Sequence, residues 1–270
     1  TQWDETNSVM QRNRRIGVSL GGIADFVDNF GLPTLREWMD EGYEELRRLD
    51  KTYSEWPCVR ESIRISTVKP DGSVGLLAGT SPGVHWTPGG KFFIRRITLQ
   101  NTDPLVAQFK RAGYNVVTSY YSPESAVVVE LPIKSDAKRS EAEVSIFEKA
   151  NLAAELQYYW SDNAVSVTVS FDPEKEFEDV GKILHMYEGK LKTVSFLPMG
   201  GKYEQMPYEP ITEDQYEEMR ANLDTVDLSP IYGLEAEEVE DEKFCVSDVC
   251  EIKDMALQNE SIPNLEEALD

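Results

Sequence analysis

The pattern of hydrophobic and polar positions predicts strands and helices that alternate along most of the chain. Segments rich in β-branched residues, with alternating apolar and polar positions, are typical of strands. The predicted strands cover residues 15–20, 62–68, 91–99, 115–121, 126–133, 164–171 and 193–198. Most of them are separated by segments with apolar residues at helical spacing. Such an order predicts an α/β fold with parallel strands joined by crossover helices.

Capping residues, prolines and glycines predict where the longer helices begin and end. The predicted helices cover residues 33–49, 104–112, 140–159, 172–187 and 213–223. Ser140 and Glu143 form a capping box at the start of the third of these helices. The first helix has a stripe of apolar residues that predicts core packing: Leu35, Trp38, Met39, Leu46 and Leu49.

The predicted strand over residues 62–68 ends in a turn, Pro70-Asp71-Gly72, and a short apolar helix is predicted from Ser73. Pro70 cannot donate to a strand ladder, and Gly72 can adopt the positive φ of a sharp turn. The first backbone N–H groups of a helix lack partners and favour an anion. The turn is therefore a candidate phosphate site, through the N–H groups of Gly72, Ser73 and Val74. An ordinary strand-to-helix turn explains the same local pattern.

The composition limits the possible partners. The 270 residues carry a net charge of −22, which argues against a general nucleic-acid or anionic-membrane surface. The sequence contains no apolar run of about eighteen residues, so we expect no transmembrane helix. Three cysteines are too few for a disulfide framework and favour a reducing cytoplasm. The chain begins with Thr1, so we expect either a processed protein or a piece of a longer one.

Four stretches together resemble one enzyme family, in the same order along the chain. The turn region resembles it through Val68-Lys-Pro-Asp-Gly-Ser-Val74 and Leu77-Ala-Gly-Thr-Ser-Pro-Gly-Val-His85. The other three stretches are Asn13-Arg-Arg-Ile-Gly-Val-Ser-Leu20, Tyr159-Trp-Ser-Asp-Asn-Ala-Val-Ser166 and the pair Cys245 and Cys250. The family is that of adenosylcobalamin-dependent, monomeric-type (class II) ribonucleoside-triphosphate reductases, which make 2′-deoxyribonucleotides by radical chemistry.

The resemblance implies a fold and a missing part. The family has a ten-stranded α/β barrel, of which residues 1–232 would supply the C-terminal half. Its chemistry starts when adenosylcobalamin generates a thiyl radical on a cysteine in an Asn-Pro-Cys-x-Glu loop. This sequence has no such loop. The resemblance therefore implies that the N-terminal part of the reductase lies upstream, that this chain alone is inactive, and that the residues binding cobalamin are unassigned.

The resemblance also implies two sites. Substrate phosphates of a ribonucleoside triphosphate would lie on Pro70, Asp71, Gly72, Ser73 and Val74. Asp71 departs from the family, which commonly has a small hydroxyl residue there, and its carboxylate would repel a triphosphate unless it turns away to cap the helix. In the family, a pair such as Cys245 and Cys250 passes electrons from thioredoxin to the active-site disulfide. The pair lies on residues 233–270, a predicted flexible acidic arm that runs to Asp270, past the end of the family pattern.

Several alternatives remain at the sequence level. The chain could be a non-catalytic module whose dithiol tail docks with thioredoxin or a reductase. It could also be the corresponding part of an iron-dependent reductase, in which stacked tyrosines carry a radical. Adjacent aromatic residues at a helix end, such as Tyr158 and Tyr159, are more often packing residues, and the stretch from Trp160 to Ser166 favours the cobalamin-dependent branch. His85 and His185 are too far apart in sequence to predict a metal site. Cys58 is interpreted as a buried filler.

Overall fold

The computed structural model describes residues 3–72, 75, 78–88, 90–200 and 204–229. Within the described residues, those up to Asp227 form one compact unit. All the elements below belong to this unit. The helices are α1 (Asp4–Asn13), α2 (Ile23–Phe30), α3 (Leu32–Glu55), α4 (Pro104–Arg111), α5 (Ile146–Tyr159), α6 (Asp179–Met186) and α7 (Glu213–Arg220). The strands are β1 (Val18–Ser19), β2 (Ser66–Thr67), β3 (Phe92–Gln100), β4 (Asn115–Thr118), β5 (Ala126–Lys134), β6 (Thr168–Phe171), β7 (Ser195–Pro198) and β8 (Tyr208–Pro210).

Four segments lie side by side in parallel, as the alternating pattern predicts. Strand β1 pairs with β2, and β6 pairs with β7. A parallel bridge between Val68 and Val165 joins the two pairs. The backbone hydrogen bond from Ser166 N to the Val68 carbonyl, at 2.9 Å, extends this contact. Helices α2 and α3 connect β1 to β2, and α6 connects β6 to β7, so this part of the chain is an α/β array.

The prediction of parallel strands is wrong for the middle of the chain. Strands β4, β5, β3 and β8 form an antiparallel sheet in that order. Only residues 119–125 connect β4 to β5, and a parallel crossover needs about a dozen residues or more. The strands must therefore form a hairpin. Strand β3 then pairs with β5 along its full length, from Phe92 opposite Lys134 to Gln100 opposite Ala126.

Two helices begin later than predicted. The capping box of Ser140 and Glu143 forms, but it opens only a 3₁₀ turn over Glu141–Glu143. Helix α5 begins afresh behind a second cap, in which Ser145 accepts from the Glu148 N–H. The helix predicted from residue 172 begins at Asp179, because residues 173–178 form turns instead. Helix α4 is bounded as predicted, with the Asp103 side chain accepting from Leu105 N.

The core of the unit lies between α2, α3 and α5 and the parallel array. Its fully buried side chains include Ile23, Met39, Val68, Ile146, Leu156, Val165 and Val169. Each such aliphatic side chain contributes about 1.5–3 kcal/mol relative to an exposed one. Leu35 and Met39 are buried as predicted, whereas the prediction for Trp38 is wrong. Trp38 is 63% exposed, and its ring packs on Phe26 at a centroid distance of 5.0 Å.

Candidate functional site

The predicted phosphate turn lies at the carboxyl ends of β1 and β2. Ligands of parallel α/β sheets bind at this edge. The chain leaves β2 through the fully buried Val68, and Lys69 N then donates to Ser19 Oγ at 3.0 Å. Gly83 closes the other end of the segment, with φ of +55°, and a Cβ there would lie 2.6 Å from the Lys69 carbonyl oxygen. The chain at Lys69, where it enters the turn at Pro70, is therefore packed against both Ser19 and Gly83.

The Asp71 carboxylate caps its own turn. Asp71 Oδ1 accepts from Gly75 N at 2.7 Å, and the Asp71 carbonyl accepts from the same N–H at 3.3 Å. The carboxylate fills the space above Gly21, where an added Cβ would lie only 2.0 Å from Oδ2. The side chain is thus directed at the backbone of Gly75 and Gly21, which is the capping arrangement that the sequence left open.

Two polar side chains that sequence analysis missed lie beside Gly72. A methyl group added at Gly72 would lie 3.5 Å from Tyr208 Oη and 3.9 Å from Arg95 Nη2. Arg95 lies on β3 and Tyr208 on β8, opposite each other in register. The sequence did contain one signal for a functional arginine, because Arg95 and Arg96 interrupt an apolar strand in an acidic chain. Only the fold shows that Arg95 lies beside the turn.

His85 ties the far end of the turn segment to β6. Its Nε2 accepts from Thr168 N at 3.1 Å, and Nδ1 lies 3.3 Å from the Pro82 carbonyl oxygen. Because the first contact needs an unprotonated Nε2, the proton is on Nδ1 and the ring is neutral. Burial lowers the pKa of His85, and the charge of Lys149 adds to this effect.

A buried ion-dipole cluster adjoins His85. Lys149 Nζ donates to the carbonyl and hydroxyl oxygens of Ser170 at 2.9 and 3.0 Å, and Ser170 Oγ donates to Glu141 Oε2 at 3.0 Å. Burial lowers the pKa of Lys149 and raises that of Glu141. The cavity between these groups and His85 has a volume of about 20 Å³, room for one water. The cluster therefore anchors β6 to α5 and has no room for a substrate.

The other candidate residues lie apart from the turn. His185 is 91% exposed, and its Nδ1 is 4.0 Å from Glu188. Cys58 is exposed, so the prediction of a buried filler is wrong. The rings of Tyr158 and Tyr159 contact each other at 4.8 Å, with Tyr158 81% exposed. Across the described part of the chain, no three His, Cys, Asp or Glu side chains gather as metal ligands.

Some predicted site residues lie outside the described ranges. These are Ser73 and Val74 of the turn, the pair Cys245 and Cys250, and the whole arm over residues 233–270. For the helices within the described ranges, none is both long and apolar enough to cross a membrane.

One cavity in the described part of the chain is too small for a cobalamin. This cavity has a volume of about 180 Å³ and is lined by residues such as Ile183, Tyr187 and Leu191. Pockets for cofactors and drug-sized ligands are typically about 300–1,000 Å³. We therefore assign no described residue to this cofactor.

Comparisons with known proteins identify the class of this fold. No protein-family model matches the chain. A solved crystal structure of a B12-dependent (class II) ribonucleotide reductase is similar over 82% of this chain, with a TM-score of 0.71 and 34% identity. That match covers 35% of the reductase chain. The α/β array and the antiparallel sheet thus belong to the class II ribonucleotide reductase fold.

The sequence comparisons then give the family. The chain is 41% identical over 254 residues to the adenosylcobalamin-dependent ribonucleoside-triphosphate reductase of Euglena gracilis. It is 34% identical over 286 residues to the Lactobacillus gasseri protein of that name. These matches cover 92% and 93% of this chain but only 35% and 38% of the relatives. The chain belongs to the adenosylcobalamin-dependent ribonucleoside-triphosphate reductase family and spans about a third of its relatives' length.

Proposed function

We propose that this chain is the C-terminal part of a ribonucleoside-triphosphate reductase that makes 2′-deoxyribonucleotides. In this role it binds the substrate's phosphates at the turn over residues 70–74 and carries the reducing dithiol Cys245 and Cys250. The observation that carries the proposal is the identity of 41% across 92% of the chain with a reductase of that name. Coverage of only about a third of each relative is consistent with a part that works together with an upstream part.

The geometry of the turn supports the phosphate role. It lies at the carboxyl edge of the parallel strands, and Gly72 leaves the backbone open to close approach. The Asp71 carboxylate is bonded to Gly75 N, so its charge is partly balanced by the turn itself. Backbone N–H groups at the start of a helix bind phosphate without a basic side chain. An acidic chain can therefore hold a triphosphate at one local site.

The radical chemistry belongs to the upstream part. Cys58, the one cysteine in the described residues, is exposed and lies in no Asn-Pro-Cys-x-Glu loop. The family's adenosylcobalamin supplies the radical, and the residues of this chain position the substrate's phosphates. We propose that the four parallel strands β1, β2, β6 and β7 form one side of the ten-stranded barrel. The upstream part supplies the other strands.

The dithiol completes each turnover. The thiolates of Cys245 and Cys250 reduce the disulfide formed in the active site, and the pair becomes a disulfide as two electrons pass to the substrate site. A dithiol protein of the thioredoxin type then reduces the pair again. Residues 230–270 contain thirteen acidic and two basic residues, half of the net charge of −22. Acidic neighbours raise the pKa of a thiol, so we expect exchange to be fast only after docking to a partner that offsets this charge.

The test is deoxynucleotide formation under anaerobic conditions from a ribonucleoside triphosphate, adenosylcobalamin and a reductant. We expect no product from this chain alone and product when the upstream part is joined or added. Cys245→Ser with Cys250→Ser should abolish turnover supported by thioredoxin but retain turnover supported by a small dithiol, and Cys58→Ser is the matched control. A folded complex of both parts that forms no deoxynucleotide would contradict the proposal and favour a non-catalytic docking module. Activity that depends on iron instead of a corrinoid would favour the iron-dependent type.

A further inference from the structure

The cross-strand pair of Arg95 and Tyr208 is a polar cluster that no described protein group fully satisfies. The two residues oppose each other on β3 and β8, and the guanidinium carbon lies 4.6 Å from the centre of the Tyr208 ring. Arg95 Nε and Tyr208 Oη are both buried, yet neither has a hydrogen-bond partner among the described residues. A buried polar atom without a partner costs about 1–3 kcal/mol, so it calls for an explanation such as a missing ligand.

The orientation of Arg95 shows which edge of the guanidinium is held by the protein. Nη1 donates to the carbonyl oxygens of Arg96 and Pro207 at 2.9 and 3.2 Å. The opposite edge consists of Nε and Nη2. In another arginine of this chain, the corresponding edge binds a carboxylate. Arg36 Nε and Nη2 donate to the two carboxylate oxygens of Glu155 at 2.6 and 2.7 Å. Two parallel N–H donors match carboxylate and phosphate alike.

Tyr208 adds a third donor beside that edge. Burial raises the pKa of Tyr208, an effect that the charge of Asp71 reinforces and that of Arg95 opposes. The hydroxyl is therefore protonated at neutral pH and can donate. The Tyr208 ring is fixed between the Arg95 guanidinium and the buried Phe93 ring, whose centroid is 5.6 Å away.

Both groups face the turn that the proposed function assigns to phosphate. An atom in the place of a Gly72 Cβ would lie 3.5 Å from Tyr208 Oη and 3.9 Å from Arg95 Nη2. A phosphate group on this side of the Gly72 backbone would therefore lie next to both side chains. Arg95 also brings a positive charge to this side of the turn, in a chain whose net charge is −22.

We propose that Arg95 and Tyr208 bind the outermost phosphate of a nucleoside triphosphate and so favour triphosphate over diphosphate substrates. This inference rests on the proposed function, because it takes the turn at Gly72 as the seat of the inner phosphates. Arg95 contributes a bidentate, charged contact through Nε and Nη2, and Tyr208 contributes a neutral donor. A diphosphate seated on the turn leaves both side chains without a ligand.

The experiment uses this chain assembled with its upstream part, and compares Arg95→Gln, Tyr208→Phe and the control Arg48→Gln. Arg48 lies on α3 with a side chain 63% exposed, so its substitution removes one positive charge away from the turn. Dissociation constants of a ribonucleoside triphosphate, its diphosphate and inorganic tripolyphosphate are measured without turnover, and KM and kcat are measured with turnover.

We expect Arg95→Gln to weaken triphosphate and tripolyphosphate binding about 10- to 100-fold, with diphosphate binding changed less than about threefold. The KM for the triphosphate should rise in parallel while kcat changes little. Tyr208→Phe separates binding from folding. It removes a hydroxyl without a described protein partner, so the unfolding free energy should stay the same or increase while triphosphate binding still weakens.

The outcomes distinguish this inference from the proposed function. If Gly72→Ala weakens the binding of both nucleotides but Arg95→Gln and Tyr208→Phe change neither, the turn binds phosphate and the inference is overturned. Equal losses for diphosphate and triphosphate would also overturn it. If the assembled wild-type protein binds neither nucleotide nor tripolyphosphate, the proposed phosphate role fails and the inference fails with it.

Discussion

At the scale of single residues, buried polar side chains fix the segments that lead to the turn. Asp50 is 9% exposed on α3, and its carboxylate accepts from Ser62 N at 2.7 Å and from Ser62 Oγ at 2.8 Å. Ser62 precedes β2 and is itself buried. A charge-assisted pair of hydrogen bonds therefore joins the last turns of α3 to the chain that enters the parallel array.

We expect Asp50→Ala to lower the free energy of unfolding by about 2–4 kcal/mol, because it leaves the buried N–H and hydroxyl of Ser62 without their acceptor. The control is Asp40→Ala, on an exposed position of the same helix, which should change stability by about 0.5 kcal/mol or less. Urea-induced unfolding of the two variants measures the difference. Equal effects would show that the Asp50 contact does not support the fold.

A second prediction concerns pH and His85. Burial lowers the pKa of this histidine below 6.5, so the unfolded chain takes up a proton before the folded one does. This contribution to stability is complete above pH 6.5 and is lost as the pH falls toward the folded pKa, by at most about 1.4 kcal/mol per pH unit. His85→Gln should remove this part of the pH dependence, as measured by unfolding at several pH values between 5 and 7.5.

The control for that experiment is His185→Gln, since the His185 side chain is 91% exposed and lies in solvent in the folded protein. This variant should keep the wild-type pH profile. If both variants behave alike, the contact of His85 with Thr168 N does not hold the neutral ring.

At the scale of elements, two glycines differ in whether the backbone requires glycine at their position. Gly113 follows α4 with φ of +86°, and a Cβ there would lie 2.4 Å from the Asn222 carbonyl oxygen. Gly181 lies inside α6, and an added Cβ would meet nothing within 4 Å. The first glycine is needed for the packing of the segment after α7 on the end of α4, and the second is a weak point of a short helix.

We expect Gly113→Ala to destabilise the protein by more than about 2 kcal/mol, through a strained φ together with a clash against backbone. Gly181→Ala should instead stabilise it by about 0.5–1 kcal/mol, because alanine favours the helix and fits the open space. Thermal unfolding of the two variants should shift in opposite directions. A shift of the same sign for both would contradict the geometry.

The sequence predicted elements better where a local signal decides them. Asp103 and Gly113 bound α4 because a cap and a positive φ act within a few residues. The capping box of Ser140 and Glu143 forms as predicted, but it begins only a 3₁₀ turn. The long helix begins five residues later, where Ser145 is a second N-cap. Helix α1 and strand β8 were missed. Strand β8 has only three residues and is defined by its pairing with β3. The hydrophobic pattern of three residues cannot predict such a long-range pairing.

At the scale of the whole molecule, the parallel array has open edges. Within the described residues, no strand pairs with the outer edge of β1 or of β7. Val18 and Leu197, on these two strands, are 39% and 46% exposed. Open strand edges with apolar side chains are sites of association with other strands.

We therefore expect this chain alone to self-associate as its concentration rises, and the upstream part to prevent this by pairing with the edges. Light scattering after size-exclusion chromatography measures both effects. Val18→Lys with Leu197→Lys should reduce self-association, since charged residues protect edge strands. A monodisperse monomer at all concentrations would show that the edges are closed by other means.

The candidate site was predictable only in part, because some of its residues are adjacent in sequence and others are far apart. The turn at Gly72 is a local motif, and its residues lie together in sequence. Arg95 and Tyr208 are 113 positions apart in sequence, and they meet because β3 and β8 pair. The position of the Asp71 carboxylate likewise depends on a contact with Gly21, fifty residues earlier.

That last contact makes positions 21 and 71 evolutionarily interdependent. With aspartate at 71, a side chain at 21 would overlap the carboxylate in its present position, since a Cβ would lie 2.0 Å from Oδ2. A lineage with a smaller residue at 71 is released from this constraint and is free to accept alanine or serine at 21. We therefore expect alanine or serine at 21 to occur together with a smaller residue at 71, because either residue at 21 beside Asp71 would displace the carboxylate from its bond to Gly75 N.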